Sequence, residues 1–284
     1  MNKLLRAGFA RLKKDKIFWA GMILMFAAGV IFVINDLTIQ QRTQIPATLD
    51  GVLFSYVFFT GLVSAAFCSL FIGTEYSDGT IRNKLVVGHA RSAIYLSNLV
   101  VGGLAGLLMN LAYVIAVCAV GIPLFGVPET GASGIALLSL CSILMTLSFI
   151  SIFTLLGMLI HNKALVAVVS IIGALTLLVA GSYVGSRLDE PEYFEGANFV
   201  FQGDGMVIST ADESSDERVE NPMYLKGTER VVYQFIYDFL PSGQAMQIYM
   251  FSVIHPWRLL LYSLLIAVLT TGGGLYFFRK KDIQ

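Results

Sequence analysis

The sequence has little charge for its length. Asp, Glu, Lys and Arg make up 13% of the 284 residues, whereas hydrophobic residues make up 56%. Because a soluble globular protein carries about 25% charged residues, the composition excludes that class and indicates a membrane protein. The nineteen basic and nineteen acidic residues cancel, and this balance gives no electrostatic reason to expect nucleic acid as a partner.

Patterns for metal binding and redox chemistry are scarce. The three cysteines, Cys68, Cys118 and Cys141, lie inside apolar runs and show no Cys-x-x-Cys or Cys/His spacing, so we interpret them as packing residues. The three histidines are scattered along the chain, and a shared metal site is difficult to build from such positions. The sequence therefore predicts no metal site.

Catalytic motifs are missing as well. The sequence contains no GxxxxGK[ST] phosphate loop, no HExxH, no GxSxG and no Gly-rich dinucleotide fingerprint. We therefore expect the chain to be neither an enzyme nor an ATPase by itself, and to need no cofactor of its own. Its apolar runs carry no acid or base in mid-membrane, which disfavours an ion-coupled carrier. Energy for transport would have to come from a partner.

Six runs free of Asp, Glu, Lys and Arg are each long enough to cross a hydrocarbon core, which takes about 20 helical residues. They predict an all-α polytopic membrane protein. The predicted spans are approximately Ile17–Asn35, Gly51–Gly73, Ser92–Ile122, Gly134–Ile160, Ala164–Gly185 and Leu259–Phe278. The third and fourth exceed the length that a membrane needs, so we expect them to tilt or to extend beyond the bilayer.

These spans divide the chain into four predicted regions. Residues 1–16 form an N-terminal cytoplasmic segment, and residues 17–185 hold the first five spans with a cytoplasmic loop at 74–91. Residues 186–258 form a large extracellular segment, and residues 259–284 hold the sixth span and a basic tail. The first region is not interpreted as part of a cleaved signal peptide, because the apolar run continues through Ile34, as in a spanning helix.

Charge is strongly segregated between the two sides of the predicted membrane. One side, which includes both termini, holds thirteen basic and four acidic residues, a net of +9, whereas the other holds six basic and fifteen acidic residues, a net of −9. Because basic residues stay preferentially in the cytoplasm, we expect both termini to be cytoplasmic and the chain to lie in the plasma membrane.

The segment before the first span has an amphipathic pattern. Leu5, Phe9 and Leu12 share one face of a helix, and basic residues surround it. This arrangement predicts an interfacial helix whose basic face meets anionic lipid in the bilayer. A positively charged flank that only sets the topology is the alternative.

The predicted extracellular segment has its own organisation. Ala197–Thr210 holds two β-prone runs around Gly203, Asp204 and Gly205, which is typical of a small β-hairpin. Ala211–Glu220 reads as an acidic, solvated loop. Two short apolar helices follow, before and after Pro241, and we expect them to lie against the outer membrane surface or to dip into it.

The third span contains two amides, Asn98 and Asn110. An unpaired amide is costly in an apolar interior, so each needs a partner. We favour hydrogen bonds to neighbouring helices, with substrate contact as the alternative.

The loop FIGTEYSDGTIRNKLVVGHAR is unusually polar for a segment between two apolar runs. Ser77 or Asp78 can cap a helix, Ile81 and Leu85 share one face of it, and Gly88 offers a stop. The pattern predicts about two turns of helix with Arg82, Asn83 and Lys84 exposed. Because so short a helix is marginal alone, we expect it to dock on a partner.

Within this loop, TEYSDGTIRNKLVVGHAR resembles the segment between the second and third helices in permease subunits of ABC-2 type ATP-binding-cassette exporters. The N-terminal basic helix, the six spans and the stretches NPMYLKGTER and DFLPSGQAMQI are similar too. The resemblance implies that residues 78–89 form a coupling helix seated in a groove of a separate ATPase. The implied coupling residues are Glu75, Asp78, Gly79, Thr80, Ile81, Arg82, Asn83, Lys84, Leu85, His89 and Arg91.

The resemblance also implies an assembly of two permeases, identical or homologous, with two ATPase subunits that bind ATP and Mg. The exported substrate would be amphipathic or peptide-like, and its pathway would be formed where the second and fifth helices of the two permeases meet. Candidate lining residues are Phe54, Tyr56, Phe58 and Phe59. A membrane sensor or immunity protein that binds a ligand through its extracellular segment is the alternative, and ATP dependence through a partner discriminates the two.

Overall fold

A computed structural model describes residues 1–194, 197–202, 205–210 and 219–281 of the chain. Its helices are α1 (Asn2–Lys14), α2 (Lys16–Thr43), α3 (Leu49–Leu53), α4 (Val57–Ser77), α5 (Thr80–Val86), α6 (Arg91–Phe125), α7 (Ala132–Leu159), α8 (Lys163–Leu188), α9 (Gly227–Phe239), α10 (Pro241–Tyr249) and α11 (Pro256–Lys280). Its strands are β1 (Tyr193–Phe194), β2 (Ala197–Gln202), β3 (Gly205–Thr210) and β4 (Val219–Glu220).

Within the described residues, six segments are long and apolar enough to cross a membrane: α2, α3 with α4, α6, α7, α8 and α11. The prediction of an all-α membrane protein with six spans is therefore confirmed. Helix α6 has 35 residues, and at about 1.5 Å per residue it is about 50 Å long. Because the hydrocarbon core is about 30 Å thick, α6 is tilted or extends beyond the bilayer.

The second span forms the centre of the bundle. Its apolar window is 61% buried, compared with 22% for each of α2, α8 and α11, and α4 contacts α6, α7 and α8. Small residues bring the neighbouring helices close together. A Cβ atom added to Gly106 of α6 would lie 3.1 Å from the Ile150 side chain of α7, as expected for a small residue at a helix interface.

The second span is not one continuous helix, as Gly51–Gly73 was predicted to be. Helix α3 ends at Leu53, and three residues of turn precede α4. In this turn, backbone hydrogen bonds join residues that are three apart, such as Phe59 N to Tyr56 O at 3.0 Å. Val52 O accepts from Ser55 N at 3.2 Å and from the hydroxyl of Tyr113 at 3.0 Å, so this carbonyl is satisfied, as the interior of a membrane requires.

The N-terminal helix α1 packs against α6. Leu4 and Leu12 are buried, and Leu5 and Phe9 of the predicted apolar face pack partly against the same core. Gly8 permits a close approach, because a Cβ atom there would lie 2.8 Å from Val101 Cγ2 of α6. Helix α1 is therefore joined to the bundle and does not merely flank the first span.

The segment between α8 and α11 combines strands with two short helices. Strands β2 and β3 pair antiparallel with Ala197 opposite Thr210, and β1 pairs with β4. The turn predicted at Gly203 and Asp204 and most of the predicted acidic loop, residues 211–218, lie outside the described residues. The hairpin therefore stays a prediction, as does the extracellular position of the whole segment.

Candidate functional site at the α4–α5 corner

Glu75 lies near the end of α4 and is only 2% exposed. Its Oε1 atom is 2.7 Å from Nη1 of Arg11 in α1 and 2.5 Å from Nζ of Lys84 in α5. Its Oε2 atom accepts a hydrogen bond of 2.9 Å from Nδ2 of Asn98 in α6. One carboxylate therefore holds three other helices against α4. We call these four residues the Glu75 cluster.

Arg11 is fixed within this cluster by several contacts. Its Nη2 atom donates to Phe71 O at 2.5 Å, and its guanidinium lies 4.0 Å from the centre of the Phe71 ring. Its Nη1 atom makes no hydrogen bond, so the contact with Glu75 is an ion pair without hydrogen-bond alignment. Since removing one partner of a buried ion pair leaves an uncompensated charge, at about 3–5 kcal/mol, the cluster requires all its members.

The next residue, Tyr76, joins a second group of contacts. Its hydroxyl donates to Met158 O at the end of α7 at 2.5 Å. Lys281, just after α11, donates from Nζ to the same carbonyl at 2.8 Å and to Tyr76 Oη at 2.9 Å. Arg91 at the start of α6 donates to Phe278 O at 3.2 Å and to Lys281 O. Burial lowers the pKa of Lys281 to about 8. Together with the Glu75 cluster, these contacts join five helices, α1, α5, α6, α7 and α11, to α4 at this end of the bundle.

Helix α5 has seven residues, about the two turns predicted, but it begins differently. It starts after Gly79, whose φ of +67° requires the left-handed region, and no side chain caps it. The predicted cap by Ser77 or Asp78 is therefore wrong. Gly88, with φ of +91°, follows the helix, as the stop signal indicates. Two left-handed glycines thus fold the seven residues of α5 back against α4.

The predicted exposure of Arg82 and Asn83 in α5 is confirmed, whereas that of Lys84 is not. Ile81 is 1% exposed and lies in the chain's own core, where Leu85 also packs, while Lys84 points to Glu75. The expectation that Lys84 is exposed is wrong, and Ile81 and Leu85 are not presented to a partner. The outward surface, which we call the α5 tip, consists of Arg82, Asn83, Val86 and Val87.

The α5 tip is unusual because it includes two exposed valines. Val86 is 79% exposed and Val87 is 76% exposed, although both lie in a polar loop rather than in a membrane span. Sequence periodicity grouped Ile81 with Leu85 but gave no sign of which side faces the core. The signal that was missed is the pair of adjacent valines, which cannot share the face of Ile81 in a helix. Asp78 is also exposed, whereas Thr80 and His89 are half-buried.

A second polar group lies deeper in the bundle. Asn110 donates from Nδ2 to Thr146 Oγ1 at 2.9 Å and accepts from Thr60 Oγ1 at 3.2 Å, while Tyr56 Oη and Ser142 Oγ are 2.7 Å apart. Asn110 and Asn98 both bond to neighbouring helices, which is the preferred of the two predicted roles. Tyr56, Asn110, Ser142 and Thr146 line part of a cavity of about 310 Å³.

The four candidate pathway residues lie near this group. Phe54 is 2% exposed and Tyr56 is 5% exposed, so both face the interior of their own chain, whereas Phe58 and Phe59 are half-buried. Ring contacts of 5.5 to 5.7 Å join Phe54 to Phe251, Phe58 to Tyr249, and Phe59 to Phe32. Their part in a pathway between two permeases stays a prediction.

The fold defines a polytopic helical membrane protein with a charged, tightly joined corner beside a short exposed helix, as in a membrane component driven by another subunit. The sequence model of one family, described as ABC-2 family transporter protein, matches residues 4–181. Because this match covers more than half of the chain, the chain belongs to the ABC-2 transporter family. No curated protein matches it. It is therefore a membrane-spanning permease component of an ABC transporter and partners with an ABC ATPase subunit.

Proposed function

We propose that this chain is the permease subunit of an ATP-driven exporter in the plasma membrane, and that its α5 tip contacts the ATPase. Two permease chains and two ATPase subunits, which hold ATP and Mg, form the complex. The observation that carries the proposal is the structure of α5. It presents two exposed valines on one side, and on the other it is fixed by Ile81 and Lys84 to the core and to Glu75.

This arrangement supports coupling because the inner side of α5 is fixed to the rest of the chain. A helix of seven residues is marginal by itself, but Lys84 and Glu75 join it to α4, α1 and α6. A force that the ATPase applies to Val86 and Val87 therefore displaces these helices together. Since the second span is the most buried of the six, its displacement changes the packing of the whole bundle, and we place the export pathway along it.

The substrate is amphipathic or peptide-like. The cavity of about 310 Å³ between α4, α6 and α7 supports this class, because it combines the hydroxyl and amide groups of Tyr56, Asn110 and Ser142 with apolar walls. Binding sites of this kind use a few polar groups to orient a largely apolar ligand.

The cytoplasmic orientation of both termini follows from the net charges of +9 and −9 on the two sides. Cysteines placed at Asn83 and Thr228, both exposed, test it with a membrane-impermeant thiol reagent on intact cells. We expect labelling at position 228 and none at position 83 until the cells are opened. Labelling of position 83 alone in intact cells would reverse the orientation.

Docking is tested by the double substitution Val86→Asp and Val87→Asp. Two charges placed in an apolar contact cost several kcal/mol when they are desolvated, so we expect the ATPase to be lost on purification. Membrane abundance should be normal, because both side chains are exposed and the spans are unchanged. Affinity purification in mild detergent, with co-purified chains identified by mass spectrometry, gives the readout.

Two variants control this experiment. Val127→Asp makes the same change at a residue that is 74% exposed in the loop at the opposite end of the bundle, and it should retain the ATPase. Ile81→Asp places a charge at a buried position and should instead lower membrane abundance. Retention of the ATPase by the Val86/Val87 variant would overturn the proposed contact. Absence of any ATPase from the wild-type preparation would favour a sensor or immunity protein.

A further inference from the structure

A pocket of about 540 Å³ lies between α9 and the start of α11. Helix α8 begins beside Gly73 of α4 and runs the length of the bundle, so α9 and this pocket lie at the end opposite the Glu75 cluster. The lining residues that matter are Arg230, Gln234, Phe235, Asp238, Arg258 and Tyr262.

Asp238 is held without a close cation. It accepts hydrogen bonds from Nε2 of Gln234 at 2.8 Å and from Nε2 of Gln247 at 3.1 Å. Arg258 Nη1 is 3.9 Å from the carboxylate, which is too long for a hydrogen bond. Both amides bind Oδ1, and Arg258 lies too far from Oδ2 for a hydrogen bond. Because the Arg258 side chain is 39% exposed, its donors are available to another group.

Arg230 also has a hydrogen-bond donor that is unpaired among the described residues. Its Nη2 atom donates to Leu188 O at 3.2 Å, but its Nη1 atom is buried and has no hydrogen-bond partner among the described residues. A buried donor without an acceptor costs about 1–3 kcal/mol. Because Arg230 also lines the pocket, a rotation of its guanidinium toward an oxygen atom bound there would remove this penalty.

The net charge of the pocket fits a single negative charge. Arg230, Arg258 and Asp238 are the charged residues among its described lining, which gives a net charge of +1. Two guanidinium groups around one anionic centre are suited to phosphate, whose oxygens match the planar fork of donors. A phosphodiester carries one negative charge and fits this balance.

The pocket also lies where a membrane surface is expected. Trp257, next to Arg258, is 61% exposed at the start of α11, and Trp and Tyr concentrate at membrane–water interfaces. Phe235, which is 53% exposed, and Tyr262 stack edge to face at 5.7 Å along the pocket wall. An apolar wall continues from a cationic mouth, as a lipid with a phosphate headgroup and acyl chains requires.

We infer that this pocket binds the phosphodiester headgroup of an anionic phospholipid, with Arg230 and Arg258 contacting the phosphate and an acyl chain lying along Phe235 and Tyr262. The orientation proposed above places this lipid in the outer leaflet. The binding itself does not depend on that orientation, on the ATPase or on transport.

Trp257 provides a reporter for this site. The sequence holds two tryptophans, so Trp19→Phe leaves Trp257, whose ring lies 5.8 Å from the Arg258 guanidinium carbon. Phospholipids brominated on the acyl chains are added to this variant in neutral detergent, and quenching of Trp257 fluorescence is followed. We expect brominated phosphatidylglycerol to quench at a several-fold lower mole fraction than brominated phosphatidylcholine.

Matched substitutions assign the preference to the pocket. Arg230→Gln with Arg258→Gln should make the two lipids quench equally, whereas Arg187→Gln, which lines a different pocket, should leave the preference unchanged. Arg230→Lys with Arg258→Lys retains both charges and should keep part of the preference, which separates loss of charge from misfolding. Equal quenching by the two lipids in the Trp19→Phe protein, or an equal loss of preference in the Arg187 variant, would overturn the inference.

The phosphate group could also come from a soluble anion, and competition separates the two sources. Glycerophosphoglycerol, the phosphodiester headgroup without acyl chains, at the concentration of the lipid should not displace the brominated phosphatidylglycerol, because it lacks the acyl chain. Displacement would show a site for a free anion and would overturn the assignment to lipid.

Discussion

Two buried carboxylates at opposite ends of the bundle have the same chemistry and different surroundings. The side chains of Glu75 and Asp238 are each 3% exposed. Glu75 has two cations within 2.7 Å, supplied by α1 and α5, whereas Asp238 has two amides within 3.1 Å and its nearest cation at 3.9 Å. Burial alone therefore does not determine what a carboxylate contributes.

The difference lies in which groups remain available. At the Glu75 end, the charges of Arg11 and Lys84 are used inside the chain to join helices, and the surface offered to a partner is the α5 tip with its two exposed valines. At the Asp238 end, two amides donate to one oxygen of the carboxylate, and the nearby guanidinium groups line a pocket. The first arrangement suits transmission of movement, and the second suits binding of an anion.

The largest loss of stability should come from Glu75→Gln. The change leaves the buried charges of Arg11 and Lys84 without a counter-charge, and we expect the free energy of unfolding to fall by about 3–5 kcal/mol. Denaturant unfolding of the purified protein in detergent measures this. Asp78→Asn, an exposed carboxylate three residues away, is the control and should change stability by less than about 0.5 kcal/mol. Similar values for the two variants would contradict the cluster.

A moderate effect should come from Gly181→Ala, where α8 meets α10 at the Asp238 end. The new Cβ atom would lie 2.8 Å from the backbone N of Gly243, so one helix must move, and we expect a loss of about 1–3 kcal/mol. Gly73→Ala at the other end would meet the side chain of Lys163 at 3.0 Å, which has more freedom to yield. Unfolding midpoints measure both, and an equal loss would show that the two contacts are alike.

A smaller effect should come from Asp238→Asn. Gln234 and Gln247 can rotate their amides to offer either a donor or an acceptor, so we expect a loss of about 1 kcal/mol, the net contribution of one hydrogen bond. The same unfolding assay compares this variant directly with Glu75→Gln. A loss as large as that of the Glu75 variant would remove the distinction between the two ends.

A pH-dependent effect should come from Lys281. Because burial lowers the pKa of Lys281 to about 8 from 10.5, the unfolded chain binds more protons than the folded one between these values, and stability rises with pH there. The rise should be absent from Lys281→Met, so the difference in unfolding temperature between wild type and variant should grow in favour of wild type from about pH 8 upward. A difference that shrinks with pH would contradict the burial of this lysine.

The sequence was sufficient for the features that depend on composition. Long charge-free runs predicted the six spans, and the cost of an unpaired amide in an apolar interior predicted the helix-to-helix bonds of Asn98 and Asn110. It was insufficient for contacts between distant segments. Asn98 lies 23 residues after Glu75 and Arg11 is more distant still, so no local pattern connects them with this carboxylate.

The orientation of α5 could not be predicted from the sequence, for a related reason. Helical periodicity shows that Ile81 and Leu85 share a face, but either the chain's own core or a partner can cover that face. Likewise, the break between α3 and α4 could not be predicted, because its three residues, Phe54, Ser55 and Tyr56, include neither Pro nor Gly. The contact that joins this turn to another helix, from the hydroxyl of Tyr113 to Val52 O, is likewise made by a residue distant in the sequence.

The claim that the Glu75 cluster makes α1 and α5 move as one unit can be measured directly by electron spin resonance. Spin labels at Ala7 of α1 and at Asp78 just before α5, both exposed and outside the α5 tip, report the separation of the two helices in the complex with the ATPase, without nucleotide and with ATP and vanadate. We predict the same distance distribution in both states for the wild-type protein, and a broader or shifted one in Glu75→Gln. A distance that changes with nucleotide in the wild type, or that is unaffected by Glu75→Gln, would contradict the claim.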